Sequence, residues 1–438
     1  MIYLDHAAAT PVDKRVLEAM IPYFSEEFFN PSAAYLPAKA VREKYEEAKG
    51  AIAHAIGAKA ADLVITAGAT EANNLAFSVA SARTRQSFWL GAFRSAAARE
   101  LAPAARGRLP EEASERRACS SFRSDDEQTT LVDGPAGRGD EQNDCRVLYL
   151  ATEHDSVRKV AEQYGGEAIK VDRDGRVAMD DLRAKITDNT QLISIALVNN
   201  ELGTIQPLSE VAALVREVRF DRLRRGVRTP LYLHSDASQA LNLLDVNVAR
   251  LGVDLLTLNA ATIYGPKGVG ALYVAHDVKL APVNYGGGQE KGLRSGTENV
   301  PGVVGFAKAI ELSHEHLNGN RKKYAKWRKI LTEGLTDCEI INRRHSLDNF
   351  VNLCYNGLDG ERLLYLLEER GIYVATGAAC AASKGIKSHV LAAIGLSDSE
   401  IAGSLRLTLG ETNTDEQIHE AVRIINEVAQ GEYRRVSR

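Results

Sequence analysis

Short apolar runs alternate with longer helical stretches along the chain from Leu63 to about Ala281. The runs are almost wholly apolar and read LVIT, VLYLA, AIKV, QLISIAL, LYLHSD, VDLLTL and VGALYVA. Strands that are apolar on both sides are typical of a parallel sheet covered by helices on both faces. The pattern therefore predicts an α/β fold with a mainly parallel sheet.

The pattern changes after about Pro282. A long helical stretch at about 313–336 precedes the runs FVNLCYN, GIYVAT and SLRLTLG, which are separated by further helices. This arrangement is typical of a smaller α+β domain. We expect a large domain at 16–281, a small C-terminal domain at 282–438, and an N-terminal segment at 1–15 that packs with the small domain.

The segment 83–146 interrupts the large domain. It is rich in Ala, Arg, Gly and Ser, it carries equal numbers of arginines and acidic residues, and its apolar residues cluster only around FWLGAF. Such a segment buries too little apolar surface to offset the entropy of ordering. We interpret it as an insertion that is disordered, with a functional lid as the alternative.

Composition excludes several classes of protein. The chain has 438 residues, 45% of them hydrophobic and 26% charged, with a net charge of -4, which is typical of soluble globular proteins and not of membrane or nucleic-acid-binding ones. The N-terminus carries no basic and apolar leader, so we expect a cytoplasmic protein. Its five cysteines include no C-x-x-C pair, which argues against a disulfide framework and a metal site.

Polar motifs follow several of the predicted strands. In TAGATEANN, Gly68 permits a tight turn and Thr70 opens a helix whose free N–H groups suit a phosphate, unless Thr70 only caps the helix. In HSDASQA, Asp236 stands at a strand's carboxyl end, where a carboxylate can pair with a protonated ring nitrogen, and Gln239 follows one turn on. A helix N-cap is the alternative for Asp236.

Further motifs add amide, ring and cationic groups. Asn200 in ALVNNELGT suits a ligand or a simple turn, and His154 in ATEHDSV suits stacking on a heteroaromatic ring or a structural role. Thr297 lies in the glycine-rich GGGQEKGLRSGTEN, which suits an anion or a linker. Cys380 stands among small residues in GAACAAS, and the planar guanidinium of Arg406 in SLRLTLG suits a substrate carboxylate.

Taken together, the motifs of this chain resemble those of cysteine desulfurases of the NifS/IscS type. In order along the chain they are YLDHAAATPV, GATEANN, TEHDSV, NNELGT, SDASQA, IYGPKGVGALYV, RSGTEN, GAACAAS and SLRLTLG. These are class V aminotransferases with the type I pyridoxal-phosphate fold. The resemblance implies a homodimer that binds pyridoxal 5′-phosphate, converts L-cysteine to L-alanine, and passes sulfur to iron–sulfur scaffolds or tRNA-thiolation acceptors.

The resemblance also implies a role for each matching residue. Thr70 and, from the other subunit, Thr297 would hold the phosphate, with Ala69 and Asn259 also in the cofactor site. His154 would stack on the ring, Asp236 would bind its nitrogen, and Asn200 and Gln239 would hold its phenolic oxygen. Arg406 and Asn200 would bind the substrate, and the catalytic positions would be Cys380, which accepts the sulfur, His154 and Thr262. Each role suits the residue's own chemistry, since an ionised aspartate keeps the ring protonated and a cysteine is a sulfur nucleophile.

One motif departs from the family pattern. The family usually has Ser-Gly-His-Lys before IYGPKG, and this chain has Asn259, Ala260, Ala261 and Thr262, so Thr262 stands where the Schiff-base lysine is expected. A hydroxyl forms no imine and is no base at neutral pH, and losing one positioned proton carrier lowers a rate by roughly 10²- to 10⁴-fold. Lys267, five residues on, is part of the usual GPKG turn.

Two alternatives to an impaired desulfurase stay open. One is a catalytically inactive paralogue that binds the cofactor non-covalently or not at all and serves as a scaffold or regulator of sulfur transfer. The other is a different class V enzyme such as an aminotransferase. Cys380 and Arg406 favour the desulfurase, whereas Thr262, Ala261 and the insertion favour the scaffold.

Overall fold

A computed structural model of the chain describes residues 1–80, 146–377 and 387–437. The predicted insertion lies outside these residues except for its last position, Arg146, and Cys380 lies outside them as well. The predictions made for the insertion and for Cys380 therefore stay predictions.

A seven-stranded sheet forms the centre of the described chain. Its order is β2-β8-β7-β6-β5-β3-β4. The strands are β2 (Leu63–Thr66), β3 (Arg146–Leu150), β4 (Glu167–Ile169), β5 (Thr190–Ser194), β6 (Tyr232–Asp236), β7 (Leu255–Asn259) and β8 (Gly270–Val274). The mainly parallel sheet is confirmed, since β4, β3, β5, β6 and β7 are parallel.

Strand β8 is the exception, because it runs antiparallel to both β2 and β7. The sequence of this strand, VGALYVA, does not predict its antiparallel direction, since it is as apolar as the parallel strands. The connection 260–269 is too short for the crossover helix that a parallel strand needs, so the chain turns back along β7. This turn contains Thr262.

Helices cover both faces of the sheet. The α-helices of the described chain, including those of the C-terminal part, span Lys14–Met20, Pro22–Ser25, Leu36–Ala55, Ala69–Phe77, Asp155–Gln163, Met179–Lys185, Leu208–Arg225, Val248–Leu251, Val300–Gly334, Gly360–Glu369, His389–Ala393, Asp398–Ala402 and Asp415–Val436. Neighbouring residues of one strand enter separate cores, as Leu255 and Leu256 of β7 do. Burial on both faces explains the continuous apolar runs in the sequence.

The long helix predicted at about 313–336 in fact spans Val300–Gly334. It begins earlier because Asn299 caps it, accepting a hydrogen bond from the Gly302 N–H, and because Pro301 fits the first turn. None of the helices in the described part of the chain combines the length and the apolar composition required to cross a membrane.

The C-terminal part carries two small sheets. Strands β9 (Glu339–Ile340), β10 (Phe350–Cys354) and β12 (Ser404–Thr408) are antiparallel in the order β12-β10-β9. The N-terminal β1 (Ile2–Tyr3) pairs in parallel with β11 (Ile372–Tyr373). The first residues of the chain thus contact the C-terminal part, while the boundaries at 15 and 281 stay predictions.

Candidate functional site

A pocket of about 880 Å³ opens where β6 and β7 end and the helix Ala69–Phe77 begins. Ligands of open α/β sheets bind at the carboxyl ends of the strands. Nine of the predicted site residues line it: Ala69, Thr70, His154, Asn200, Asp236, Gln239, Asn259, Thr262 and Arg406. Thr297 is exposed and does not line the pocket of this chain.

One wall of the pocket is the N-terminus of the helix Ala69–Phe77. The helix begins after Gly68, whose φ of 140° is accessible mainly to glycine. Thr70 is its second residue, so the alternative in which Thr70 caps the helix is wrong. No side chain of the described residues caps the helix, which leaves its first N–H groups available to a ligand. Glu71 instead pairs with Arg294 at 2.9 Å.

A buried carboxylate lies at the end of β6. Asp236 Oδ2 accepts a hydrogen bond from Asn73 Nδ2 at 2.8 Å, and its Oδ1 accepts bonds from the N–H and the hydroxyl of Ser238 at 2.9 Å and 2.5 Å. A turn follows Asp236, so the helix N-cap alternative is wrong. These hydrogen bonds hold the carboxyl group at the pocket wall.

His154 and Gln239 are both anchored to the backbone. His154 Nδ1 accepts a hydrogen bond from the Ser156 N–H at 3.1 Å and so caps the helix Asp155–Gln163, while the same side chain lines the pocket. His154 therefore has the structural role that the sequence left open, and it also lines the pocket. Gln239 Nε2 donates to the Ala7 carbonyl at 3.0 Å.

Arg406 is the buried cation of the pocket. Its Nη2 bonds Asp5 Oδ1 at 2.6 Å, its Nη1 donates to the Asn200 carbonyl at 2.8 Å, and its Nε has no partner among the described residues. Burial raises the pKa of Asp5, and the guanidinium opposes that rise. Sequence reasoning missed Asp5, because its contact with Arg406 joins residues at opposite ends of the chain.

Thr262 lies in the turn between β7 and β8. Its Oγ1 donates to the Ser238 carbonyl at 2.5 Å, and its own carbonyl accepts a bond from Asn242 Nδ2 at 2.6 Å. Among the described residues that line the pocket, none is a lysine, and Lys267 is exposed outside it. The hydroxyl is therefore engaged with backbone, and the pocket offers no described amine in its place.

Two buried glutamates line the pocket and were given no role from the sequence. Burial, reinforced by the charge of Asp236, raises the pKa of Glu153 to about 8. Burial also raises the pKa of Glu201 to about 7, against the opposing effects of the Ser388 hydroxyl and Arg406. The available signal was that each glutamate, in TEH and in NNE, follows closely after an apolar strand.

Comparison with known proteins places this arrangement in context. A family model described as aminotransferase class V matches residues 2–91 and 127–420. Cysteine desulfurase IscS 1 of Archaeoglobus fulgidus is 35% identical, over 97% of this chain and 96% of that protein. The structure of a NifS-like protein matches 98% of this chain and 99% of its own, with 28% identity and a TM-score of 0.78. These likenesses confirm the predicted fold class.

A further solved structure is described as SspA in complex with cysteine. It is 28% identical to this chain, covers 93% of it and 99% of its own length, and has a TM-score of 0.70.

Proposed function

The chain belongs to the class V aminotransferase family and, within it, to the cysteine desulfurases of the IscS/NifS type, and we propose that it binds pyridoxal 5′-phosphate and L-cysteine in the pocket. We further propose that the cofactor is held without a covalent link and that alanine is released slowly. The observation that carries this proposal is a pocket lined by the N-terminus of the helix Ala69–Phe77, Asp236, His154 and Arg406, with Thr262 where the lysine is expected.

The residues present fit the cofactor. The uncapped N-terminus of the helix Ala69–Phe77 offers free N–H groups to a phosphate, and Asp236 offers a hydrogen-bonded carboxylate to a protonated ring nitrogen. His154 and Gln239 lie in the same pocket, suited to the ring face and the phenolic oxygen. When bound, the cofactor supplies an electron sink for the bonds at the substrate's α-carbon.

The substrate carboxylate is assigned to Arg406. The guanidinium is buried, it is held by Asp5 and the Asn200 carbonyl, and its Nε still lacks a partner among the described residues. A planar guanidinium binds a carboxylate with directed, charge-assisted hydrogen bonds. SspA, a structural relative, is described in complex with cysteine, which supports a cysteine-sized ligand here.

The sulfur acceptor is assigned to Cys380 by its place in the GAACAAS motif. The thiolate of Cys380 would attack the substrate sulfur, forming an S–S bond while the C–S bond breaks. The carbon takes up a proton, so cysteine and a protein thiol become alanine and a protein persulfide. We propose that the persulfide serves iron–sulfur scaffolds or tRNA-thiolation acceptors, and that Thr297 reaches the phosphate of a second subunit.

Thr262 limits the proposed reaction. Its hydroxyl donates to the Ser238 carbonyl and cannot form an imine, so binding relies on the non-covalent contacts above. The missing proton carrier lowers turnover by roughly 10²- to 10⁴-fold relative to a chain with a lysine there.

A second candidate function is that of a scaffold or regulator of sulfur transfer. The absence of lysine among the described pocket residues favours it, because ligand recognition does not need the covalent link whereas fast turnover does. A protein that binds cofactor and cysteine but releases no alanine, with or without Cys380, would fit this second function.

The test is a spectroscopic titration of the purified protein with pyridoxal 5′-phosphate, followed by borohydride reduction and denaturation. We expect saturable binding to the parent and to Thr262→Met, and release of all cofactor on denaturation after reduction. Borohydride reduces an imine to a stable amine, so Thr262→Lys should retain the cofactor covalently. Failure of the parent to bind at any concentration, or covalent retention by the parent, would contradict the proposal.

A further inference from the structure

Glu153 is a buried acid in the pocket that none of the roles above uses. It follows β3 and stands directly before His154. Its Oε1 accepts a hydrogen bond from the Ala196 N–H at 2.6 Å, and its Oε2 is buried without a partner among the described residues. Its backbone carbonyl faces His389 Nε2 at 2.9 Å. A side chain this enclosed, with one oxygen unpaired, calls for a reason beyond packing.

The charges around Glu153 favour its neutral form. Asp236, from β6, is the acid whose charge acts on it most directly, while its own turn contributes His154 and Asp155. The helix His389–Ala393 contributes His389, whose pKa is lowered chiefly by burial, so this ring does not supply a compensating positive charge at neutral pH. Burial and Asp236 together raise the pKa of Glu153 to about 8.

We propose that Glu153 is a positioning residue that holds one proton in the free pocket, so that Asp236 alone presents a negative charge to the incoming ring nitrogen of the cofactor. The inference rests on the proposed function, since it assumes a ligand with a protonated ring nitrogen at Asp236. Glu153 acts through Asp236 and is assigned no contact with the reacting atoms.

Cofactor binding should lower the pKa of Glu153. A positive charge placed against Asp236 offsets the repulsion that Asp236 exerts on ionised Glu153, and Glu153 is already buried, so covering it adds little further desolvation. The pKa of Glu153 therefore falls in the complex. When the pKa of a group falls on ligand binding, affinity for the ligand increases as pH rises between the pKa in the complex and the pKa in the free protein. For Glu153 the free-protein pKa is about 8.

The variant that tests the inference is Glu153→Gln. Its amide oxygen still accepts the Ala196 N–H, and it does not titrate. Without cofactor, the infrared difference spectrum between the parent and Glu153→Gln should show a protonated-carboxyl band near pH 7 that fades as pH rises past the pKa of about 8, since the contribution of Glu201 is common to both proteins and cancels. Glu162→Gln is the matched control. Glu162 is a half-exposed glutamate in the helix Asp155–Gln163, which His154 caps, and its replacement should leave the band unchanged.

The second measurement is cofactor affinity across pH for the parent and Glu153→Gln. Dividing the affinity of the parent by that of Glu153→Gln cancels the titration of the cofactor itself. We expect this ratio to rise about three- to tenfold between roughly pH 6 and 9, since a pKa that falls by one unit on binding changes the affinity by about tenfold. A purely structural role for Glu153 predicts a constant ratio.

If Glu153→Gln does not fold, Asp236→Asn provides the test with Glu153 intact. Removing the charge of Asp236 should move the midpoint of the infrared band to lower pH, while burial keeps it above that of an ordinary glutamate. An unchanged midpoint, a missing band, or a constant affinity ratio would overturn the inference. Absence of cofactor binding to the parent at every pH would overturn the proposed function as well, and so distinguishes the two failures.

Discussion

The two sides of the pocket that follow β6 and β7 differ in what they offer a ligand. The β6 side has Asp236 held by Asn73 and Ser238, with Gln239 anchored beside it. The β7 side has a short turn in which the hydroxyl of Thr262 is bonded to the Ser238 carbonyl. The first side has the acid and the amide that the family resemblance assigns to the cofactor's ring, and the second has Thr262 where the resemblance places the lysine that binds the cofactor covalently. Under the proposed function, recognition of the cofactor and its covalent attachment depend on different sides of the pocket.

The sharpest way to test that comparison is to add the amine to the β7 side. We expect Thr262→Lys to raise alanine release from L-cysteine by roughly 10²- to 10⁴-fold, because it supplies both the imine and the proton carrier. Alanine is measured in the presence of added cofactor and a reductant that accepts the persulfide sulfur.

Thr262→Met, which has a long side chain without an amine, is the control and should stay at the parent's rate. The same gain in both variants would mean that filling space, and not the amine, limits turnover. Adding Cys380→Ser to Thr262→Lys should abolish the gain if Cys380 accepts the sulfur.

A second test removes the buried guanidinium of Arg406, which lines the same pocket. Arg406→Gln should weaken L-cysteine binding to the cofactor-loaded protein by about 10- to 100-fold, since a hydrogen bond to a charged group contributes about 1.5–3 kcal/mol. The measurement is the change in cofactor absorbance as cysteine is added.

Arg222→Gln is the matched control for Arg406. Arg222 is also a buried guanidinium, but it donates to the carbonyls of Thr187, Thr190 and Thr229 away from the pocket. We expect it to lower stability while leaving cysteine affinity unchanged. Equal losses of affinity in both variants would count against a carboxylate site at Arg406.

A third test disturbs the helix N-terminus through its contact with β8. A Cβ at Gly270 would lie 2.7 Å from the Leu258 carbonyl oxygen and 2.8 Å from Gly68 backbone. Overpacking of this kind lowers stability by about 1–3 kcal/mol, so Gly270→Ala should unfold at lower urea concentration and bind cofactor more weakly. Gly319→Ala, where a Cβ meets nothing within 4 Å, should do neither. Unchanged cofactor binding in Gly270→Ala would show that the helix N-terminus does not contact the phosphate.

Much of the fold was predictable because burial on two faces leaves a direct mark on sequence. The apolar runs located all seven central strands, and the glycine-dependent turn at Gly68 was visible from its neighbours. The direction of β8 was not predictable, since the composition of an apolar strand does not indicate whether it runs parallel or antiparallel to its neighbours. Only the length of the 260–269 connection decides the direction. The start of the long helix was also missed, because the cap at Asn299 was interpreted as part of a glycine-rich loop.

The sequence alone determined which chemical groups the protein has: the family motifs, the acid Asp236, the cation Arg406, and Thr262 in place of lysine. Only the tertiary structure decided how those groups are paired and charged. It joined Asp5 to Arg406 across 401 positions and closed the Thr262 hydroxyl onto Ser238. It also buried Glu153 beside Asp236, which raises its pKa. The reason is that pairing and desolvation depend on distance in space and on exclusion of water, and neither is encoded in the local order of residues.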